Sequence, residues 1–378
     1  NAFVAGGQNI FLNTGLIIKS ENVGELIGVI AHEAGHISGG HLIRIRQASK
    51  DASIQTILST IFAAAVAVGT GEGDAAGGVM AGGAELGRRH ILKHSRAFES
   101  SADQAAIRYL QSSGYPVDGL ASFLDKLSQQ ELLPTDQQTE YVRTHPITQD
   151  RVATVKAAAA NKNDQFPPDY EKKFELIRAK IMGYINPDRA FSEFSESDSL
   201  AAIYARSIAA YRRGITTEAL LLLEQILEQQ PKNPYFHELH GQILFEEGRI
   251  EPAVRAYQKA VRYLPTETDG ALIHLALGHA LLESGRDKKV EEALNHLLKA
   301  RETEPQSPRL HRLLATAYGR NDQAGLAKLH LAEEALLKND LSFAMQQVKL
   351  AKESLPKASA AQQRAEDLIR IIKNRQKG

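Results

Sequence analysis

Cysteine is absent from all 378 residues. That excludes disulfides and thiolate ligands, so any bound metal must be held by histidine and carboxylate side chains. A surplus of either charge is absent too, with 45 Lys plus Arg against 45 Asp plus Glu. A general binder of nucleic acid or acidic substrates carries a basic excess, and nothing here points to one. Long apolar runs are scarce. "ILSTIFAAAVAVG", residues 57–69, falls short of the roughly 20 residues that a spanning helix needs. It reads as a buried helix, with peripheral contact at a membrane surface as the alternative. What is present suits a packed core: 43% hydrophobic and 24% charged residues, in a length that suggests two or three domains.

Residue 1 is Asn, and "NAFVAGG" reads as the interior of a domain, so a preceding segment is expected. Residues 8–14, "QNIFLNT", alternate like a short strand between glycines. From about Val23 the pattern turns helical, with Asn22 and Glu25 spaced as a capping box. Leu26, Ile30, Ile37 and Leu42 are expected to line its buried side, and Gly39 and Gly40 weaken its end. The Gly- and Ala-rich stretch 69–87 lacks the Gly-Lys-Ser/Thr of a phosphate loop and reads as a flap or a small-residue helix. Helices are expected from about His90 to Ser112 and over 117–131. A surface connection follows at 161–170, and a linker at 186–199.

Beyond 199 the chain repeats. Gly214, Ala219 and Pro231 recur 34 residues later as Gly248, Ala253 and Pro265. Gly285, Ala293, Ala300 and Pro305 follow the same scheme, and so do Asn339, Ala344, Val348, Ala351 and Pro356. This period, with small residues at helix crossings and Pro after the second helix, matches tetratricopeptide repeats. "RLLATAYGRND", 312–322, reads as the first helix of a degenerate unit, and the polar tail from about 359 as a cap. The expected fold is mainly α. A domain over 1–160 with a small sheet is followed by a connecting helix and linker over 161–198. A solenoid of helix pairs with a capping helix then fills 199–378.

The chemistry concentrates in "AHEAGHISGGH", residues 31–41. His32 and His36 stand at i and i+4, on one helix face, so both imidazoles can reach one ion. Glu33 sits beside them, placed to take a proton from water polarised by the metal and to return it to a leaving amine. Two histidines leave a catalytic zinc one protein ligand short. His41 is one position away from where the metzincin pattern places its third His, about 100° of helix, and reads better as an outer partner or a structural residue. "FESSADQAA", 98–106, offers Glu99 and Asp103 four apart. Glu99 could bind the metal, and Asp103 could accept an N–H from a ligand imidazole. Glu85 is a weaker candidate.

With "HEAGH" followed by "ESSAD", the chain resembles the HtpX/Oma-type gluzincin metallopeptidases. "NAFVAGGQNIFLNTGL" is similar to that family's edge strand, and "THPITQDRV", 144–152, to its His-Pro segment with a downstream Arg. With repeats following, the chain is most similar to the BepA-type periplasmic proteases of Gram-negative bacteria. The family's intramembrane hairpin has no clear counterpart here. The resemblance implies one Zn2+ per chain on His32, His36 and Glu99, with Glu33 as base. It implies unfolded or misassembled protein substrates held along the edge strand, and repeats that recruit clients or the outer-membrane protein assembly complex. The implied location is the periplasm, in free or membrane-associated form. A scaffold or chaperone with a latent metal site is the competing expectation. His145 precedes Pro146, which biases it toward extended backbone. It is expected to swing onto the metal's open position as a gate, and, when withdrawn, it or Arg151 is expected to stabilise the oxyanion.

Overall fold

The computed structural model describes residues 1–5, 7–41, 43–44, 96–131, 145–160 and 165–376. The apolar run 57–69, the stretch 69–87 with Glu85, and Leu42 lie outside the described residues. The chain divides into two compact units, Asn1–Met182 and Gly183–Gly378.

The first unit opens with an antiparallel hairpin of β1 (Ala2–Ala5) and β2 (Asn9–Leu12), in register Ala2↔Leu12 through Ala5↔Asn9. The strand expected over 8–14 is thus β2 alone, and Thr14 already begins the short helix α1 (Thr14–Lys19). Next comes α2 (Val23–Ser38), whose Asn22 side chain accepts from Glu25 N–H. The Glu25 carboxylate reaches back to Glu21 N–H rather than to Asn22, and it also takes Ser122 Oγ–H at 2.8 Å and Lys126 at 2.6 Å. This pins the start of α2 to α4 (Asp118–Glu131). Between them in sequence, the described part of α3 spans 96–112. α5 (Gln149–Ala159) follows, and α6 (Asp169–Ile185) runs through the end of this unit.

The buried face of α2 is not the one its aliphatic residues suggest. Leu26, Ile30 and Ile37 are only half-buried, while Gly28, Val29, His32, Glu33, Gly35 and His36 are buried. Small residues cause this. A Cβ at Gly28 would stand 2.8 Å from Leu120 backbone, and one at Gly35 would stand 2.7 Å from Ala102 O. The neighbouring helices therefore approach on the glycine face, where forcing in a carbon costs about 1–3 kcal/mol. That close approach brings α3 against the polar residues of α2. The apolar core around them holds Leu16, Val29, Ala106, Leu110, Leu120, Leu124 and Val155.

The regular elements among the second unit's described residues are all helices. The segment 186–199, expected as a linker, contains α7 (Pro187–Glu193). Then come α8 (Leu200–Arg212), α9 (Thr216–Gln229), α10 (Pro234–Glu246), α11 (Ile250–Arg262), α12 (Ala271–Glu283) and α13 (Val290–Arg301). α14 (Pro308–Arg320), α15 (Ala324–Leu337), α16 (Leu341–Ser354) and α17 (Ala360–Arg375) complete it. Each of α8 to α17 packs on the next. The repeat residues explain why. Gly214, Gly248 and Gly285 turn the chain between paired helices at φ of 76°, 72° and 67°, where a Cβ is disfavoured. Ala219, Ala253, Ala293 and Ala344 are fully buried at the crossings. Ser199, Asn233, Ser307 and Ser359 cap the helices that follow them. Tyr204, Phe236, Tyr257 and Tyr318 are core residues, whereas Tyr211 is half-buried. No described helix is long and apolar enough to cross a membrane.

Candidate metal centre

His32, Glu33, His36, Glu99, Asp103, His145 and Arg151 meet in one buried cluster, each no more than 8% exposed. α2 supplies the first three, α3 supplies Glu99 and Asp103, and the turn ahead of α5 supplies His145. His32 Nε2 and His36 Nε2 are 3.0 Å apart. Glu99 Oε2 is 3.3 Å from the first and its Oε1 is 3.3 Å from the second. Donors held about 2.0–2.1 Å from a tetrahedral ion stand about 3.3–3.4 Å apart, so this spacing suits one ion. His145 Nδ1 lies 3.2 Å from both Glu99 oxygens, and its donor joins those of His32, His36 and Glu99 within 4.8 Å of one another.

The outer nitrogens are engaged as well. His32 Nδ1 lies 2.9 Å from Asp103 Oδ1, an ion-pair contact whose alignment falls short of a hydrogen bond. A carboxylate there requires N–H on Nδ1 and leaves the Nε2 lone pair facing the cluster. His36 Nδ1 lies 3.0 Å from His41 Nδ1. Glu33 Oε1 is buried and accepts no hydrogen bond among the described residues, with His145 Nε2 3.7 Å away. A buried carboxylate oxygen left in that state beside a knot of lone pairs fits a site built for an ion and a water.

The Arg151 guanidinium packs into the wall of the site. Its Nε and Nη2 donate to Asp103 at 2.6 and 2.9 Å, and its Nη1 donates to Pro146 O at 2.7 Å and faces Glu99 Oε2 at 3.0 Å. All three nitrogens are turned into the wall of the site. The guanidinium ties α3 to the His145 segment.

Electrostatics follow from this packing. Burial opposes ionisation of Glu99, but hydrogen bonds from His145, His32 and His36 outweigh it and hold the carboxyl well below its ordinary range. Burial likewise opposes the Asp103 carboxylate, and Arg151 and His32 hold it ionised. Burial pushes His36 down, with His32 and His145 adding to it. Burial also works against charge on His32, but the Asp103 and Glu99 carboxylates outweigh it and raise its pKa to about 9. Burial, aided by His36 and Arg44, draws His41 down to about 4.

One pH prediction follows. Without metal, His32 holds a proton below pH about 9, and that proton must leave when an ion binds. Metal affinity should therefore climb by up to about tenfold per pH unit from neutrality and level off near pH 9. Calorimetry in buffers of different ionisation enthalpy should count about one proton released per ion at pH 7.5. A plateau already reached near pH 6.5 would refute the assigned environment of His32.

Residues 1–159 match peptidase family M48. The chain carries an M48 metallopeptidase domain. Residues 190–345 match the tetratricopeptide repeat family. The beta-barrel assembly-enhancing protease of Yersinia pestis is 24% identical over 356 residues, 91% of this chain and 71% of that one. Its counterpart in Escherichia coli (strain K12) is 26% identical over 309 residues, 78% of this chain. The match covers 61% of that relative's own length, somewhat under two thirds. Among solved structures, MamA aligns with 44% of this chain and 98% of its own, at 18% identity and a TM-score of 0.38. The TPR protein YrrB covers 52% of this chain and 98% of its own, at 19% identity and a TM-score of 0.38. The M48 domain therefore contains the whole histidine–carboxylate cluster and the α2 helix that bears it.

Proposed function

We propose that this chain is a zinc endopeptidase of the Gram-negative envelope that cleaves unfolded, misassembled or stalled proteins. Its repeats recruit clients or the outer-membrane assembly machinery. The observation that carries the reading is Glu33 Oε1, buried and without a hydrogen bond among the described residues, 3.7 Å from His145 Nε2 in the cluster of His32, His36 and Glu99. A zinc ion bound by these three would supply Lewis acidity to the scissile carbonyl and to the attacking water. Glu33 takes the proton from that water and passes it to the leaving nitrogen. Asp103 fixes the His32 ring, and Arg151 fixes Asp103. β2, which pairs with β1 alone among the described residues, would hold the substrate as an added strand. Main-chain pairing reads little sequence, which suits a protease for unfolded chains. The names of the Yersinia pestis and Escherichia coli relatives support the link to β-barrel assembly. A periplasmic location, free or membrane-associated, and a chaperone role for the repeats belong to the same reading. The test is cleavage of an unfolded protein by the zinc-loaded chain; zinc-loaded protein that leaves every unfolded substrate intact would refute it.

A latent resting state is favoured by one observation: His145 Nδ1 lies against both Glu99 oxygens, where a fourth donor would stand. With zinc held by His32, His36 and Glu99, the His145 imidazole would stand where the attacking water must enter. Replacing His145 with Ala should raise cleavage of an unfolded protein on the order of tenfold, the inverse of the open fraction. An unchanged rate on all substrates would remove the gate from the account.

A further inference from the structure

We propose that His41 is the positioning residue of His36, accepting its Nδ1–H and so fixing the ring that delivers Nε2 to the metal. This rests on the metal reading of the cluster. Nε2 of His36 points at His32 Nε2 and Glu99 Oε1, so it must be bare to bind an ion, and the ring hydrogen then sits on Nδ1. The atom facing that hydrogen, 3.0 Å away, is His41 Nδ1. His41 must then be neutral and carry its own hydrogen on Nε2. The two ligand histidines are thus oriented differently. His32 is held by the charged carboxylate of Asp103, and His36 by a neutral imidazole.

The local fold is shaped for this contact. Gly39 closes α2, and Gly40 turns at a φ of 61°, which brings the next residue back over the last helical turn. The His41 ring stacks on Phe98, centroids 4.6 Å apart at 20°, and is 2% exposed. Gly39 has no side chain for a reason: a Cβ there would stand 2.2 Å from His41 Nε2. Gly39 itself has an ordinary φ of −74°, so the constraint is the space that His41 occupies, not backbone conformation.

Three variants of the full chain separate positioning from mere filling. His41→Phe keeps the aromatic stack on Phe98 and loses the acceptor. His41→Asn loses the ring but sets an amide oxygen where Nδ1 was. Gly39→Ala keeps His41 and displaces it. Zinc dissociation constants by chelator competition and the d–d absorption of the Co2+-substituted protein are the readouts. His41→Phe and Gly39→Ala should weaken zinc roughly 10–100-fold and shift the Co2+ bands, while His41→Asn stays within about threefold of wild type. Equal weakening by Phe and Asn would reduce His41 to a packing residue, and unchanged affinity in the Phe variant would also overturn the proposal. If the Phe variant does not fold, the Gly39→Ala variant decides: wild-type affinity and spectrum there overturn it. Wild-type chain that binds no metal sinks both this inference and the reading beneath it. Wild-type binding with an indifferent His41→Phe sinks this inference alone.

Discussion

Glu33→Gln should abolish cleavage while leaving the metal in place. Glu33 belongs to the cluster but not to its candidate metal ligands, its Oε1 buried and free of hydrogen bonds among the described residues. The amide is nearly isosteric and cannot take a proton, so general-base help disappears. Loss of such a group costs typically 10²–10⁴ in rate. Metal content should be that of the unmodified protein, because the donors of His32, His36 and Glu99 are untouched. Rates on an unfolded substrate and metal analysis on the same sample check this. A variant that still cleaves near the wild-type rate, or one that loses metal along with activity, would remove Glu33 from the role of base.

The second large effect belongs to Glu99. Its two oxygens face His32 Nε2, His36 Nε2, His145 Nδ1 and Arg151 Nη1. Exchanging Glu99 for Gln removes the one negative charge that faces both ligand nitrogens. Zinc affinity should fall by more than the roughly 10–100-fold typical of an outer partner. Buried N–H groups also lose their acceptor, each at about 1–3 kcal/mol, so some stability should go as well. Chelator competition measures the first effect and thermal unfolding the second. Wild-type zinc affinity in Glu99→Gln would show that the third ligand lies elsewhere.

The parts of this site readable from sequence were those set by local spacing. His32 and His36 share a helix face because four residues make about one turn, and Glu99 and Asp103 share theirs for the same reason. The repeats were readable because Gly214, Gly248 and Gly285 mark turns that need positive φ, and buried alanines mark the crossings. Long-range geometry was not readable. Arg151 stands 48 residues from Asp103, and no local pattern says that its guanidinium turns to a carboxylate and to Pro146 O rather than to substrate. The innermost contacts of α2 are made by glycine, which carries no hydrophobic signal, so its aliphatic residues do not mark them. β1 and α1 escaped because four- and six-residue elements hold too little periodicity to register. An outer or structural role for His41 was legible, but that it faces His36 Nδ1 depends on the turn at Gly40, which a helix count does not give.

The central claim is that one metal sits among His32, His36 and Glu99. Anomalous diffraction at the zinc absorption edge, from crystals of the protein as purified, tests it most directly. A single strong peak within bonding distance of His32 Nε2, His36 Nε2 and a Glu99 oxygen is the predicted result. No peak in zinc-replete crystals, or a peak bonded to His41 in place of Glu99, would contradict it.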